Sequence, residues 1–365
     1  MDVKKFDLQG YLTKGVEKIV DRSVRAVISN PAQSLYMASF AKSVKKAADY
    51  RKAQEDKGEH IPPFLICSIT DTCNLNCAGC YARANHACHD VSKKPQLTAQ
   101  EWDSVFSQAS DMGISFILLA GGEPTVRRDV IEAAAGHRDI LFPVFTNGVY
   151  LDDKYFALFE KCRNIVPIMS IEGGREVTDK RRGKGMYDRL LANMKRLKAQ
   201  GLIFGASVTV TSKNLDEVAS EEFLESLAND GCKAVIYVEY VPVGHDDGEL
   251  AFDDEIRERF EKRFNGLREK YDKMVLVAFP GDEKSSGGCI AAGRGFFHIN
   301  SSGGAEPCPF SPYSDVNVRD AGLREALHSK LFTALQSGGL LMEEHRGGCV
   351  LFEKKDVVED LIAQK

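Results

Sequence analysis

From residue 64 onward, short apolar runs alternate with longer amphipathic stretches. The runs at 64–70, 116–122, 142–148, 165–173, 204–211 and 234–243 are near-continuously apolar. Between them, segments near 98–112, 127–138, 152–162, 186–200, 215–230 and 253–272 repeat apolar residues at helical spacing. Strands apolar on both faces, alternating with helices, predict a parallel sheet with its faces covered. Six units are fewer than the eight of a closed barrel, so the pattern predicts an open, six-stranded partial barrel of the α/β class.

The flanks read differently. Residues 11–56 predict two helices broken at Asn30-Pro31, the second carrying the stripe Met37, Phe40, Ala41, Val44 and Ala48. Pro62-Pro63 end this region. After residue 273 a short apolar segment, 274–279, leads into Gly-rich chain, a helix near 320–336 and a helical tail. The expected organisation is a helical cap over 1–58, a barrel over 59–273 and a small α+β module over 274–365.

Composition narrows the functional classes. The net charge of −5 over 365 residues argues against bulk nucleic-acid binding. The charge is uneven: residues 1–58 hold 12 Lys/Arg and 7 Asp/Glu, a balance of +5, which leaves −10 for the rest. A basic amphipathic start suits a membrane surface or an acidic partner, or a solvated cap on the barrel. No apolar run reaches the ~20 residues of a membrane span, and the start has no apolar core of a signal peptide. A cytoplasmic protein is expected.

In a reducing compartment, ten cysteines in a chain of this length point to metal or catalysis rather than to a disulfide framework. Cys162 and Cys232 stand alone in apolar or helical contexts and read as packing residues. Cys73, Cys77 and Cys80 are spaced C-x3-C-x2-C, directly after the first strand. Three thiolates can hold three irons of a cubane cluster and leave the fourth open. A zinc site is the alternative, with His86, Cys88 or His89 as a further ligand. Polar and glycine-rich tokens end the next four strands: Gly121-Gly122-Glu123-Pro124, Thr146-Asn147-Gly148, Ser170-Ile171-Glu172-Gly173 and Thr209–Ser212. Functional residues gather at that rim in parallel α/β sheets.

The cysteine spacing and the GGEP token one unit later resemble the radical S-adenosylmethionine (radical SAM) superfamily over roughly residues 60–245. The resemblance implies a partial (β/α)6 TIM-type barrel, a [4Fe–4S] cluster on Cys73, Cys77 and Cys80, and S-adenosylmethionine on the open iron. It implies that Gly121 and Gly122 let the backbone approach the ligand and that Glu123 accepts from its α-ammonium. Ser170 and Glu172 would contact the ribose or the substrate, and Arg182 would pair with the carboxylate. The family often has an aromatic residue just before the third cysteine. Gly79 stands there instead, and Tyr81 would take over stacking near adenine. Cys88 is a catalytic candidate, as a hydrogen donor or extra ligand.

Cys289, the spacing Gly303-x4-Cys308, and Cys349 resemble the twitch form of the SPASM module. The resemblance implies a second, auxiliary [4Fe–4S] cluster on these three cysteines. His298, His345, Cys88 or the substrate would complete it. The implied activity is reductive cleavage of S-adenosylmethionine to methionine and a 5′-deoxyadenosyl radical, which abstracts hydrogen from a peptide or protein side chain or a cofactor precursor. A flavodoxin- or ferredoxin-type protein would supply electrons. Two alternatives stand: a lipid or membrane-associated substrate, contacted through the N-terminal helices, and a non-catalytic iron–sulfur or zinc scaffold.

Overall fold

The computed structural model describes residues 6–28, 30–92, 94–243, 248–279, 286–343 and 348–363. Two helices lead, α1 (Leu8–Ala26) and α2 (Pro31–Glu55). Asn30 separates them. Its side chain accepts from the Gln33 N–H, and Pro31 sits in the first turn, where a missing N–H is harmless. The expected stripe on α2 is buried: Met37, Phe40 and Val44 pack with Val16 and Val20 of α1 and with Phe116 of the barrel.

Seven strands follow: β1 (Phe64–Thr70), β2 (Phe116–Gly121), β3 (Phe142–Thr146), β4 (Ile165–Ser170), β5 (Gly205–Val210), β6 (Ala234–Glu239) and β7 (Val275–Phe279). Each pairs in parallel with the next. The six expected strands form within a few residues of their predicted ends. The apolar segment after residue 273 adds the seventh beside β6.

The crossings are helical: α3 (Tyr81–Ala84), α4 (Ala99–Asp111), α5 (Arg128–Ala135), α6 (Asp153–Lys161), α7 (Arg175–Arg182), α8 (Met186–Ala199), α9 (Leu215–Val218), α10 (Glu221–Asn229) and α11 (Asp254–Lys270). Local chemistry starts them. Thr98 and Glu101 form a reciprocal capping box before α4, and Asp152, Ser220 and Asp253 cap α6, α10 and α11. Helix α7 was not foreseen, because its sequence is too polar to show a periodic apolar face.

The C-terminal part contributes β8 (His298–Ile299), β9 (Gly304–Glu306) and β10 (Val316–Asn317). Four helices follow, α12 (Val318–Leu327), α13 (Lys330–Ser337), α14 (Val350–Glu353) and α15 (Lys355–Ala363). Strand β8 pairs in parallel with β1, so the sheet has ten strands in the order β10-β9-β8-β1-β2-β3-β4-β5-β6-β7. Strand β1 is therefore laddered on both edges.

Alternation sorts the faces of β1. Leu65, Cys67 and Ile69 are fully buried and join a core that includes Trp102 and Phe106 of α4. Ile66 and Ser68 are half-buried on the opposite, inner face. Phe106 stacks on Trp102 (5.9 Å between centroids) and meets the edge of Phe142 (5.2 Å). Phe106→Ala is expected to lower the unfolding free energy by about 3–5 kcal/mol, read from denaturant melts of the apoprotein. A loss under ~1 kcal/mol would contradict close packing of α4 on the sheet.

Candidate active site

The chain leaves β1 at its C-terminal end and enters the loop that carries Cys73, Cys77 and Cys80. Backbone bonds hold this loop from two sides. Residues 86–90 run back along it, with Cys73 N donating to His89 O and His89 N to Asp71 O. From α7, Arg181 O accepts from Ala78 N at 2.9 Å. Arg83 bridges the interior: its guanidinium donates to Leu75 O (2.7 Å) and Cys73 O (3.3 Å) and pairs with Asp90. The three thiols are half-buried and free. Among the described residues no group of three or more His, Cys, Asp or Glu side chains is placed to hold a single metal ion.

Next to the loop, β2 ends at Gly121-Gly122-Glu123. Gly121 has φ +123°, and a Cβ on Gly121 or Gly122 would strike the carbonyl of Thr70 or Thr72, respectively. These glycines therefore let β2 close against the segment entering the cysteine loop, where Gly122 N and Glu123 N donate to those same carbonyls at 2.8 Å. Glu123 is 1% exposed. Its carboxylate accepts from Thr125 N and Oγ1, Thr146 Oγ1 (2.6 Å) and Asn147 N (2.8 Å). Burial pushes its pKa up, against these donors. Asn147 Nδ2 in turn donates to Asn74 Oδ1 in the cysteine loop, at 2.9 Å.

A second buried carboxylate lies beyond β4. Glu172 is fully buried and pairs with Arg182 (2.5 Å) and Arg181 (3.2 Å), while Thr209 N donates to its other oxygen (2.9 Å). Arg182 also reaches Cys77 Sγ at 3.9 Å. Glu172 and Arg182, which the sequence suggested as separate ligand contacts, thus form one ion pair behind the cysteine loop. Ser170 ends β4, half-buried and paired in register with Ser207.

Tyr81 packs toward the C-terminal part of the chain. Its ring meets Phe310 edge-on at 5.0 Å, and Asn85 Nδ2 donates to Pro309 O. Burial, then the sulfurs of Cys80, Cys308 and Cys88, push its phenol pKa up. Beside Gly79 lies a different aromatic residue: a Cβ there would come within 2.8 Å of the Tyr240 ring. Cys88 is buried and hydrogen-bonded to Cys73. That bond, with opposition from burial, pulls the Cys73 thiol down to about 7, and it pushes Cys88 up in turn.

Cys289, Cys308 and Cys349 are all buried. The turn after Cys289 ties their segments together: Cys289 N donates to Leu341 O and Ala292 N to Pro307 O. Cys349 precedes α14, which packs against the turn Leu340–Met342. His298, one suggested fourth ligand, has both ring nitrogens engaged, with Glu306 and Ser68 at 2.7 Å each. His345 lies outside the described residues.

Residues 67–227 match the family model described as the radical SAM superfamily. The chain carries a radical SAM domain. Such domains are found in enzymes that bind a [4Fe–4S] cluster and S-adenosylmethionine, and SPASM/twitch relatives carry auxiliary clusters. The chain is 30% identical to the Fe-coproporphyrin III synthase of Methanosarcina barkeri over 43% of its own length, and it spans 39% of that protein. It is 27% identical to the mycofactocin maturase MftC of Mycolicibacterium smegmatis, over 81% of this chain and 80% of that one. Streptococcus suis SuiB bound to its precursor peptide SuiA shares the fold, with a TM-score of 0.62, 19% identity and coverage of 80% of this chain and 70% of that one.

The residues present fit the domain's cofactors. Three free thiols share one loop, and the Arg182 guanidinium approaches one of them. Sequence reasoning passed over Asn74, Arg181 and Tyr240. Arg181 was visible only as a neighbour of Arg182. The small residue at position 79 was the one signal for Tyr240. Glu123→Gln would turn an amide NH2 toward Thr125 N or Asn147 N. It is expected to cost about 1–3 kcal/mol and to loosen the cysteine loop, read as a lower melting temperature and faster iron loss to a chelator. Unchanged iron retention would remove Glu123 from the support of that loop.

Proposed function

We propose that the protein is a radical SAM oxidoreductase of the maturase kind, acting on a peptide or protein side chain or on a cofactor precursor. In this reading Cys73, Cys77 and Cys80 hold a [4Fe–4S] cluster whose fourth iron is left for S-adenosylmethionine. When bound, the pair supplies methionine and a 5′-deoxyadenosyl radical by one-electron cleavage of the sulfonium. The chain's own residues do the positioning. Glu123 and Asn147 hold the loop through Asn74. Glu172 fixes Arg182 beside Cys77, where its charge offsets thiolate charge. Cys88 donates to Cys73 and shields it, and Gly121, Gly122, Ser170 and Tyr81 border the space for the ligand and substrate. Cys289, Cys308 and Cys349 would hold an auxiliary cluster, and a flavodoxin- or ferredoxin-type donor would deliver electrons.

The observation that carries this reading is the meeting of the cysteine loop with the Glu123 and Glu172 networks at one rim of the sheet. A peptide substrate is supported by the likeness to a maturase and to a peptide-bound fold relative, and a cofactor precursor by the likeness to a porphyrin synthase. Anaerobic reconstitution tests the assignment. The full chain is expected to bind about eight irons, as two cubane clusters, and to release 5′-deoxyadenosine from S-adenosylmethionine with dithionite. Cys77→Ala should abolish that release. Cys308→Ala should halve the iron and keep some release. A filled wild-type protein that never forms 5′-deoxyadenosine would overturn the reading.

A membrane-associated substrate is favoured by one feature. Ile28, in the turn after α1, and Leu35, in the second turn of α2, are 80% and 76% exposed, and Arg22 and Arg25 lie shortly before them in the chain. Among the described residues no helix is long and apolar enough to cross a membrane, so contact would be superficial. Co-sedimentation with anionic vesicles that weakens several-fold in Ile28→Ser/Leu35→Ser supports it. Absence of sedimentation removes it.

A further inference from the structure

Register sorts the inner face of the barrel strand by strand. Ser68 pairs with Ala120 across β1 and β2, and Phe145 with Ile168 across β3 and β4. Ser207 pairs with Ser170 of β4 on one side and with Ile236 of β6 on the other, and Ile236 pairs with Val277 of β7. Paired residues share a face, and positions two apart on a strand return to it. From β1 to β7 the inner positions are apolar, glycine or hydroxyl-bearing, and none carries Lys, Arg, Asp, Glu or His. From the C-terminal strands His298 and Glu306 lie on the same face, and they engage each other at 2.7 Å.

The inner face is also the more open one. Leu118, Phe145, Ile236 and Val238 are half-buried, while their outward neighbours Leu119, Val144, Val235 and Tyr237 are at most 1% exposed. A closed barrel fills its middle with its own side chains. Here the wall turned to the middle is left partly open, an apolar surface of the kind that receives a ligand. Such a wall discriminates by charge. A carboxylate or phosphate carried into it would give up water and find hydroxyls but no cation. An aliphatic or aromatic group gains by leaving water. Ser170 and Thr209 lie near the C-terminal ends of their strands, where their hydroxyls can meet the amides of a chain that enters from the rim.

We propose that the barrel interior is the pocket for one uncharged side chain, aliphatic or aromatic, of a peptide substrate. The proposal rests on the maturase reading above and narrows it. A cofactor precursor that carries phosphates or several carboxylates is kept out of the interior by charges the wall cannot pair. Leu118 and Ile236, half-buried on that wall, are specificity-determining residues: they favour a side chain without charge.

Two dyes with one ring skeleton test the wall: neutral N-phenyl-1-naphthylamine, and anionic 1-anilinonaphthalene-8-sulfonate, which differs by its sulfonate. Equilibrium dialysis of the full chain is expected to give the neutral dye a Kd about tenfold or more below that of the anionic one. Leu118→Lys and, separately, Ile236→Lys place a cation on the wall and should shrink that ratio several-fold, with melting curves showing that each variant folds. The N-acetyl amide of tryptophan should displace the neutral dye at about tenfold lower concentration than the N-acetyl amide of aspartate. That order decides the matter if neither lysine variant folds. Ile28→Ser/Leu35→Ser should bind the neutral dye as the wild type does. Equal affinity for the two dyes, an unchanged ratio in a folded lysine variant, a reversed order of displacement, or loss of the neutral dye in Ile28→Ser/Leu35→Ser overturns the proposal. The measurement needs neither cluster nor S-adenosylmethionine, so its failure leaves the role of Cys73, Cys77 and Cys80 untouched. A chain that passes it and never forms 5′-deoxyadenosine fails the radical SAM reading alone.

Discussion

A strand laddered on both edges cannot bend sideways without giving up backbone hydrogen bonds, and β1 is in that position between β2 and β8. Its exit is therefore fixed in place and direction. The cysteine loop begins where β1 ends, so the strand sets its origin. The rest of the loop is irregular backbone and must find partners elsewhere. It finds them in residues 86–90 and in α7, and the Asn74 side chain adds a bond to Asn147 at the end of β3. A loop held from several separate elements can present three thiols repeatably, which a loop tethered only at its ends would not.

Two buried carboxylates organise that support. Burying a charge costs several kcal/mol unless it is paired and hydrogen-bonded. Glu123 meets the requirement with hydroxyl and amide donors from its own turn and from β3. Glu172 meets it with two guanidinium groups and an amide of β5. Each carboxylate welds the ends of neighbouring strands and leaves a polar group aimed at the cysteine loop, Asn147 in one case and Arg182 in the other. The rim is thus a set of mutually dependent contacts, and removing one acceptor strands several donors.

The C-terminal strands are continuous with this arrangement. They extend the barrel's sheet through β8, bring Phe310 against Tyr81, and close the hydrogen-bonded series from Glu306 to Ser68. The two cysteine sets are more than 200 positions apart in the chain, yet Tyr81, next to Cys80, meets the ring of Phe310, two residues after Cys308. Any chemistry in the barrel interior is therefore bounded by residues from both parts.

Much was legible from the sequence alone. Continuous apolar runs marked six strands because parallel strands are buried on both faces, and the Asn30-Pro31 break marked two helices because both residues have local conformational rules. The C-x3-C-x2-C loop and the GGEP turn were readable for the same reason: their chemistry depends on short spacings. Helix α7, the seventh strand and the pairing of β8 with β1 were not, since a polar helix has no periodic face and short strands are defined by their neighbours. The pairing of Glu172 with Arg182, the approach of Tyr240 to Gly79 and the joining of Ser68 to His298 were decided only by the tertiary structure. Each depends on strand register and crossing between segments far apart in the chain, and no local pattern encodes which buried charge or ring will meet which partner.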